Sequence, residues 1–311
     1  MRSKSINKKR GTIWVLLFLS LVFLNRTASS KEREDVKQRF SIKFSGGPGY
    51  INVGDINTHL ESYDNYLSEM TNYEGGKTKT LHYGSDFEGE LRLDISSKFA
   101  ISIGTEFMAR KNKSFLEYTG PFPFNFWHET HQSYFFKPKV EAVLFKFGIY
   151  YTFLLSSRFN LFLNGGLDYC FSQASLYKRH WAADDGWGSI YTKEEKFDVS
   201  ANSLGFHGGI GFEYNITNNL AVVLEAQGRY IKKKNLKRSR LYSLTSGMNL
   251  DGEEEGTLYI GESNLPYYGE NTPDLVISQS KPTGDEFHNM REAVLDLGGF
   301  SLRLGIRIKI F

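Results

Sequence analysis

The chain has 311 residues, 40% of them hydrophobic and 15% aromatic, and a formal net charge of only +3. A mean hydropathy of −0.39 excludes a bundle of membrane helices, and the near-balanced charge gives no basis for nucleic-acid binding. With 30 glycines, 25 phenylalanines and 18 tyrosines against 7 prolines, the composition favours strands, and the lone Cys170 has no partner for an internal disulfide.

The N-terminus has three parts. Arg2, Lys4, Lys8, Lys9 and Arg10 make a basic start, an apolar run extends from Ile13 to Leu24, and the small residues Thr27, Ala28, Ser29 and Ser30 follow. This is the layout of a secretory signal peptide, expected over residues 1–30. A run of about 12 apolar residues is too short for a spanning helix, which needs roughly 20. A short periplasmic segment, 31–38, then leads into a body at 39–311.

From residue 39 the sequence alternates. Phe40, Ile42 and Phe44 share one parity; Phe87, Leu91, Leu93 and Ile95 alternate with Glu88, Glu90, Arg92 and Asp94. Phe99, Ile101, Ile103 and Phe107 follow, then Val143 to Tyr151, Phe159 to Phe171, Leu204 to Tyr214, Leu220 to Ala226, and finally Leu302 to Ile310. Period 2 sustained over eight segments predicts eight strands. Three motifs, ISSKF (95–99), LSSRF (155–159) and ITNNL (216–220), sit between consecutive pairs and read as tight turns. The other four connections are long: about 55–84, 111–138, 173–200 and 233–293. Strict short–long alternation sends all the long loops to one end, as in an outer-membrane barrel with tight periplasmic turns and four long external loops.

Alternation alone does not say which face points inward. A secreted lipocalin-like calyx would turn the apolar face in, and a membrane barrel would turn it out to lipid. Three features favour the membrane. The polar face carries glycines (Gly104, Gly148, Gly166, Gly209, Gly211, Gly305) suited to a crowded interior. It mixes both charge signs, as a narrow lumen requires. Aromatic residues cluster near segment ends, as in interfacial girdles. Glu88, Glu90, Glu106, Glu213 and Glu225 are therefore expected to pair with Arg92, Arg229, Arg303 and Arg307 across a plugged lumen. Phe40, Leu91, Ile103, Phe145, Leu161, Phe212, Leu224 and Ile306 are expected to face outward.

With GFHGGIGFEYN (205–215) and LFLNGGLDY (161–169) as strand segments, the sequence resembles the small outer-membrane β-barrels of the OmpA transmembrane, OmpX and OmpW kinds, over residues 38–311. The resemblance implies an all-β, eight-stranded antiparallel up-and-down transmembrane barrel in the cell outer membrane. It also implies delivery by the barrel-assembly machinery, with Phe311 as the insertion signal. Phe311 departs from the family pattern by falling one residue out of phase with the apolar face of the last strand. OmpW types suggest a narrow channel for small or hydrophobic solutes as the alternative function.

The motifs offer little chemistry. HETH (128–131) lacks the H-E-x-x-H spacing of a zinc helix. The aspartates of HWAADDGWG (180–188) have no matching His for an omptin-like protease, and His207 has no Ser two residues on, where a lipid A deacylase carries one. GEEEG (252–256) lacks EF-hand spacing. The paired glycines lack the spacing of a nucleotide loop. KKKNLKRSR (232–240) is the sharpest charge run. Lys232, Lys233, Lys234, Lys237, Arg238 and Arg240, at the base of an external loop, suit lipopolysaccharide phosphates. Aromatic loops such as GPFPFNFW (120–127) and NLPYY (264–268) suit a binding surface. The reading is a monomeric, non-enzymatic barrel without cofactor, its partners outer-membrane lipid and lipopolysaccharide.

Overall fold

The three repeated motifs fold alike in the computed structural model. The backbone N–H of Ile95 donates to the carbonyl of Phe99 at 2.9 Å, Leu155 to Phe159 at 3.1 Å, and Ile216 to Leu220 at 2.9 Å. In each turn a hydroxyl replaces missing backbone partners. Ser96 Oγ accepts from the N–H groups of Lys98 and Phe99, Ser156 Oγ from those of Arg158 and Phe159, and Thr217 Oγ1 from those of Asn219 and Leu220. Short hydroxyl side chains favour turns because they bond to backbone this way.

The structure describes residues 39–69, 73–122, 125–184, 190–234, 236–245, 249–264 and 272–310. The predicted signal peptide, the 31–38 segment and Phe311 lie outside them. The turns join β3 (Tyr83–Asp94) to β4 (Phe99–Lys111), β6 (Asn125–Leu154) to β7 (Phe159–Asp184), and β8 (Ile190–Asn215) to β9 (Leu220–Lys233). With β1 (Arg39–Ile51) and β15 (Gly299–Lys309) these form a ring of antiparallel pairings: β1–β3–β4–β6–β7–β8–β9–β15 and back to β1. Ile42 faces Ile308 in the closing register, and Ile310 N–H donates to the Phe40 carbonyl at 2.7 Å. The ring strands contain the eight alternating segments read from the sequence. Gly166 is required at one close approach, since a Cβ there would collide with the carbonyl oxygen of Phe147 on the neighbouring strand.

The apolar parity lies outside. Phe40, Leu91, Ile103, Phe145, Phe212, Leu224 and Ile306 are exposed on the outer face, and Leu161 shares their parity but is half-buried. This is the inverse of a calyx. The outer apolar belt runs from Val143 to Leu155, Phe159 to Phe171 and Leu204 to Ile216 along the three longest strands and into the first residues of their turns. About 13 residues at ~3.4 Å each, tilted by about 40–45°, cover roughly 30 Å, the thickness of a bilayer's hydrocarbon core.

Three of the four long connections expected as loops contain extended strand. β6, β7 and β8 continue past the belt and exchange the polarity of their faces. On β6 the outward residues become Glu141, Lys139 and Lys137, while the inward ones become Ala142, Val140 and Phe136. On β7 outward Gln173 and Ser175 stand against inward Ala174 and Leu176, and on β8 outward Asp198 and Lys196 against inward Val199 and Phe197. The reason is the solvent. Beyond the belt water replaces lipid, so the apolar face must turn in. β10 (Lys237–Thr245), β11 (Asn249–Ser263) and β12 (Thr272–Ser278) extend this sheet, and β13 (Phe287–Glu292) pairs with β11. β5 (Ser114–Phe122) pairs with β6 and with short β2 (Tyr73–Gly76), while β14 (Leu295–Asp296) pairs with β9.

The connection at 55–84 holds a helix, α1 (Asp55–Glu69), which the loop expectation missed. Ile56, Leu60 and Tyr63, at helical spacing, are buried in the upper core with Phe136, Leu176, Val199, Leu258 and Leu275. Val53 (φ 63°) and Gly54 (φ 70°) turn the chain into the helix. A β-branched residue in that region is strained, by about 1–3 kcal/mol. Asp55 holds the helix start, accepting two bonds of 2.6 Å from Arg291 and one of 2.6 Å from Val294 N–H.

Candidate functional site: the charged interior and its cap

Within the belt, the inward residues form a stack of ion pairs. At the turn end Arg307 pairs with Glu213, which also meets Lys309 at 3.0 Å. Arg92 reaches Asp94 at 2.7 Å and Thr152 at 3.2 Å. Tyr150 and Phe162 fill this end, and the Arg92 and Arg307 guanidiniums lie 4.8 and 5.7 Å from the Tyr150 ring centre. One step up, Lys43 contacts Glu88 at 2.8 Å, Glu90 at 3.4 Å and Glu225 at 2.8 Å. Tyr150 donates to Glu90 at 2.6 Å, and Asn164 donates to Glu225 at 2.6 Å.

Higher still, Lys146 and Arg303 share Glu88, Glu106 and Gln227. Arg229 bridges Glu106 and Asp86, and Arg110 meets Asp86 at 2.7 Å beneath the upper core. Beside this stack His207 Nδ1 lies 2.7 Å from Asp168. Lys43 and Arg303 are both 0% exposed. Buried charges persist only when paired, since each unpaired one costs several kcal/mol.

All nine expected interior residues, Glu88, Glu90, Arg92, Glu106, Glu213, Glu225, Arg229, Arg303 and Arg307, are buried inside the ring. Arg92 meets Asp94 rather than any expected glutamate. Lys43 and Lys146 join the nine from the same polar parity, and Asp86, Arg110 and the neutral Tyr150 and Gln227, which were absent from the expected set, complete the network. Parity marks Lys43 and Lys146 as inward. Asp86 and Arg110 lie just past the segments in which alternation was read.

Above the network the cap encloses a second polar group. His59 of α1 is fully buried and His180 of β7 nearly so. Burial, reinforced by the Lys178 charge, holds both imidazoles down to about 3. His180 stacks on Tyr134 at 4.2 Å and shares Gln132 with the Tyr134 hydroxyl. Lys178 lies 4.6 Å from the Tyr63 ring centre.

The basic run does not form a loop base. Lys232 and Lys233 end β9, and Lys237, Arg238 and Arg240 lie in β10, paired with β8 and β11; the side chains of these last three are outside the described residues. Lys232 pairs with Asp296 at 3.3 Å, and Lys234 is exposed. His131 lies in β6, with the His128 and Glu129 side chains outside the described residues. Among the described residues no cluster of three metal-ligating side chains occurs.

A closed antiparallel ring with a lipid-height apolar belt outside and paired charges inside defines a membrane-spanning β protein. The chain belongs to the outer membrane protein beta-barrel domain family, whose model matches residues 15–261. Its place is the cell outer membrane. Among solved structures it is similar to a major outer membrane protein from Thermus thermophilus, at 13% identity over 88% of this chain and 100% of that one, with a TM-score of 0.37. It is also similar to OprG from Pseudomonas aeruginosa, at 10% identity over 88% and 97% of the two chains (TM-score 0.36). A third is the outer membrane protease OmpT from Escherichia coli, at 8% identity over 90% and 100% (TM-score 0.29). No curated protein matches the chain.

Proposed function

We propose that this protein is a non-enzymatic, non-conducting eight-stranded outer-membrane barrel that holds a rigid cap outside the cell as a binding surface. The tight turns face the periplasm and the cap faces outward. One observation supports this reading: the ion-pair stack from Arg307 to Arg110 occupies the interior of the ring, and the apolar core around α1 lies above it. Eight strands leave an interior just wide enough for side chains, and a hydrated path would need the paired charges to separate.

Purified protein in a planar bilayer is expected to give no stable conductance steps at neutral pH. Large, regular steps would move the alternative, a narrow channel for small solutes, to first place. Glu106→Gln weakens the contacts of Lys146, Arg229 and Arg303 together, and should introduce a leak if this network is the seal.

A further inference from the structure

We propose that four lysines at the foot of the cap, Lys111, Lys113, Lys137 and Lys139, form a docking site for a membrane lipid whose headgroup carries two phosphates. This rests on the reading of the apolar belt as the bilayer-spanning zone.

Lys111, the last residue of β4, is the direct cross-strand partner of Lys139 on β6. The next residues stay together through a bond from Asn112 N–H to the Pro138 carbonyl, at 3.2 Å. Lys113 and Lys137 therefore flank the pair, and all four lysines are exposed. Like charges directly opposite one another destabilise a sheet, so an anion bound between them would offset a cost built into this register.

Several other cations of the rim have carboxylate partners among the described residues. Arg179 meets Glu194 at 3.5 Å, Lys196 meets Asp198 at 2.6 Å, and Lys232 meets Asp296 at 3.3 Å. In the lysine patch only Lys139 has a carboxylate, Glu141 at 2.8 Å. No described carboxylate lies within ion-pair distance of Lys111, Lys113 or Lys137. The patch thus keeps an excess near three positive charges, which suits two phosphate monoesters better than a single phosphodiester.

Depth fits a lipid headgroup. The belt's last outward apolar pair on these strands is Phe107 and Val143, followed by Ala109 with Glu141 and then Lys111 with Lys139, and outward Phe115 and Phe135 pair again above the lysines. Four residues span about 14 Å along a strand and, with a tilt of about 40–45°, roughly 10 Å in height. The headgroup layer extends about 5–7 Å beyond the hydrocarbon core, and lysine stems reach down several Å to meet it. Farther down the same two strands an apolar trough of about 760 Å³, lined by Ile101, Ile103, Phe147 and Ile149, offers a surface for acyl chains.

The test is retention of lipid by the full chain in detergent, read by native mass spectrometry. The probes are diphosphoryl lipid A, phosphatidylglycerol and inorganic phosphate. Diphosphoryl lipid A should bind at least tenfold more tightly than phosphatidylglycerol, and millimolar phosphate should not displace it. The quadruple K111Q/K113Q/K137Q/K139Q variant should lose at least tenfold in affinity while keeping its folded mobility on unheated gels. Should that variant fail to fold, K111Q/K137Q takes its place with a loss of at least threefold. Unchanged retention in the folded variant, equal retention of phosphatidylglycerol, or displacement by phosphate alone would each overturn the proposal. A wild-type protein soluble without detergent would instead overturn the bilayer reading itself.

Discussion

Lys43 and Glu225 are separated by 182 positions in the chain, and their side chains meet at 2.8 Å inside the ring with no exposure to solvent. Neither is stable there alone. Lys43 is also the cation nearest Glu90 and one of three that serve Glu88. Lys43→Met should therefore destabilise the ring by about 3–5 kcal/mol, the usual result of stripping a buried charge of its partner. The readout is the temperature at which the folded gel band converts to the unfolded one. An unchanged conversion temperature would mean that the interior is wet enough to solvate the glutamates.

Gly166→Val should block assembly. The added side chain meets the Phe147 carbonyl, a backbone atom fixed in the ladder, so no rotamer relieves the collision. Cells expressing the variant should contain only the unfolded mobility form. Gly165→Ala, at the neighbouring outward position, brings a methyl into ordinary contact only and should assemble as wild type.

Acid should loosen the cap before the ring. His59 and His180 are held down to about 3 by burial and by Lys178, with Glu195 opposing. A histidine depressed in the folded state is fully compatible with folding above its unfolded value near 6.5. Its contribution is lost as pH falls from there toward 3, by up to about 1.4 kcal/mol per pH unit per histidine. Hydrogen exchange at pH 4.5 should rise in residues 55–69 while the belt strands stay protected. His59→Gln should flatten that pH dependence, and identical profiles would sink the assignment.

Asp55→Ala removes the acceptor of two Arg291 bonds and of the Val294 N–H at the start of α1. A loss of about 1–3 kcal/mol in local stability is expected, from one orphaned backbone donor and a charge-assisted pair. Limited proteolysis should then cut within the helix. Resistance equal to wild type would show that Ile56, Leu60 and Tyr63 alone hold it.

Cys170 is buried and free. A maleimide should label it only after the fold is lost, which makes it a built-in reporter for all the variants above.

The ring strands were legible within the belt because each has one face against lipid and one against charge there, so a single parity marks each from its turn to the top of the belt. The cap was not, because its strands are the same strands with the faces exchanged. An apolar face followed down β6 ends at Val143, and the alternation of Val140, Phe136 and Tyr134 resumes on the other parity. The α1 helix left its own trace in Ile56, Leu60 and Tyr63, hidden by the expectation of a loop. Inward charges followed from parity, but their partners did not. Arg92 meets the residue two positions along its own strand, a choice set by side-chain reach.

β6, β7 and β8 pass from lipid into water without a break in their pairing. Among the described residues no break separates the belt from the cap along these three strands. Past Phe171, β7 continues to Asp184, about 30 Å more of height after allowing for tilt. On the proposed reading, a partner that lands on the outer end would be presented at a fixed distance and bearing from the cell surface. A force applied to that end passes through continuous backbone ladders into the membrane, so the molecule behaves as a mast stepped through a deck rather than a tethered flag.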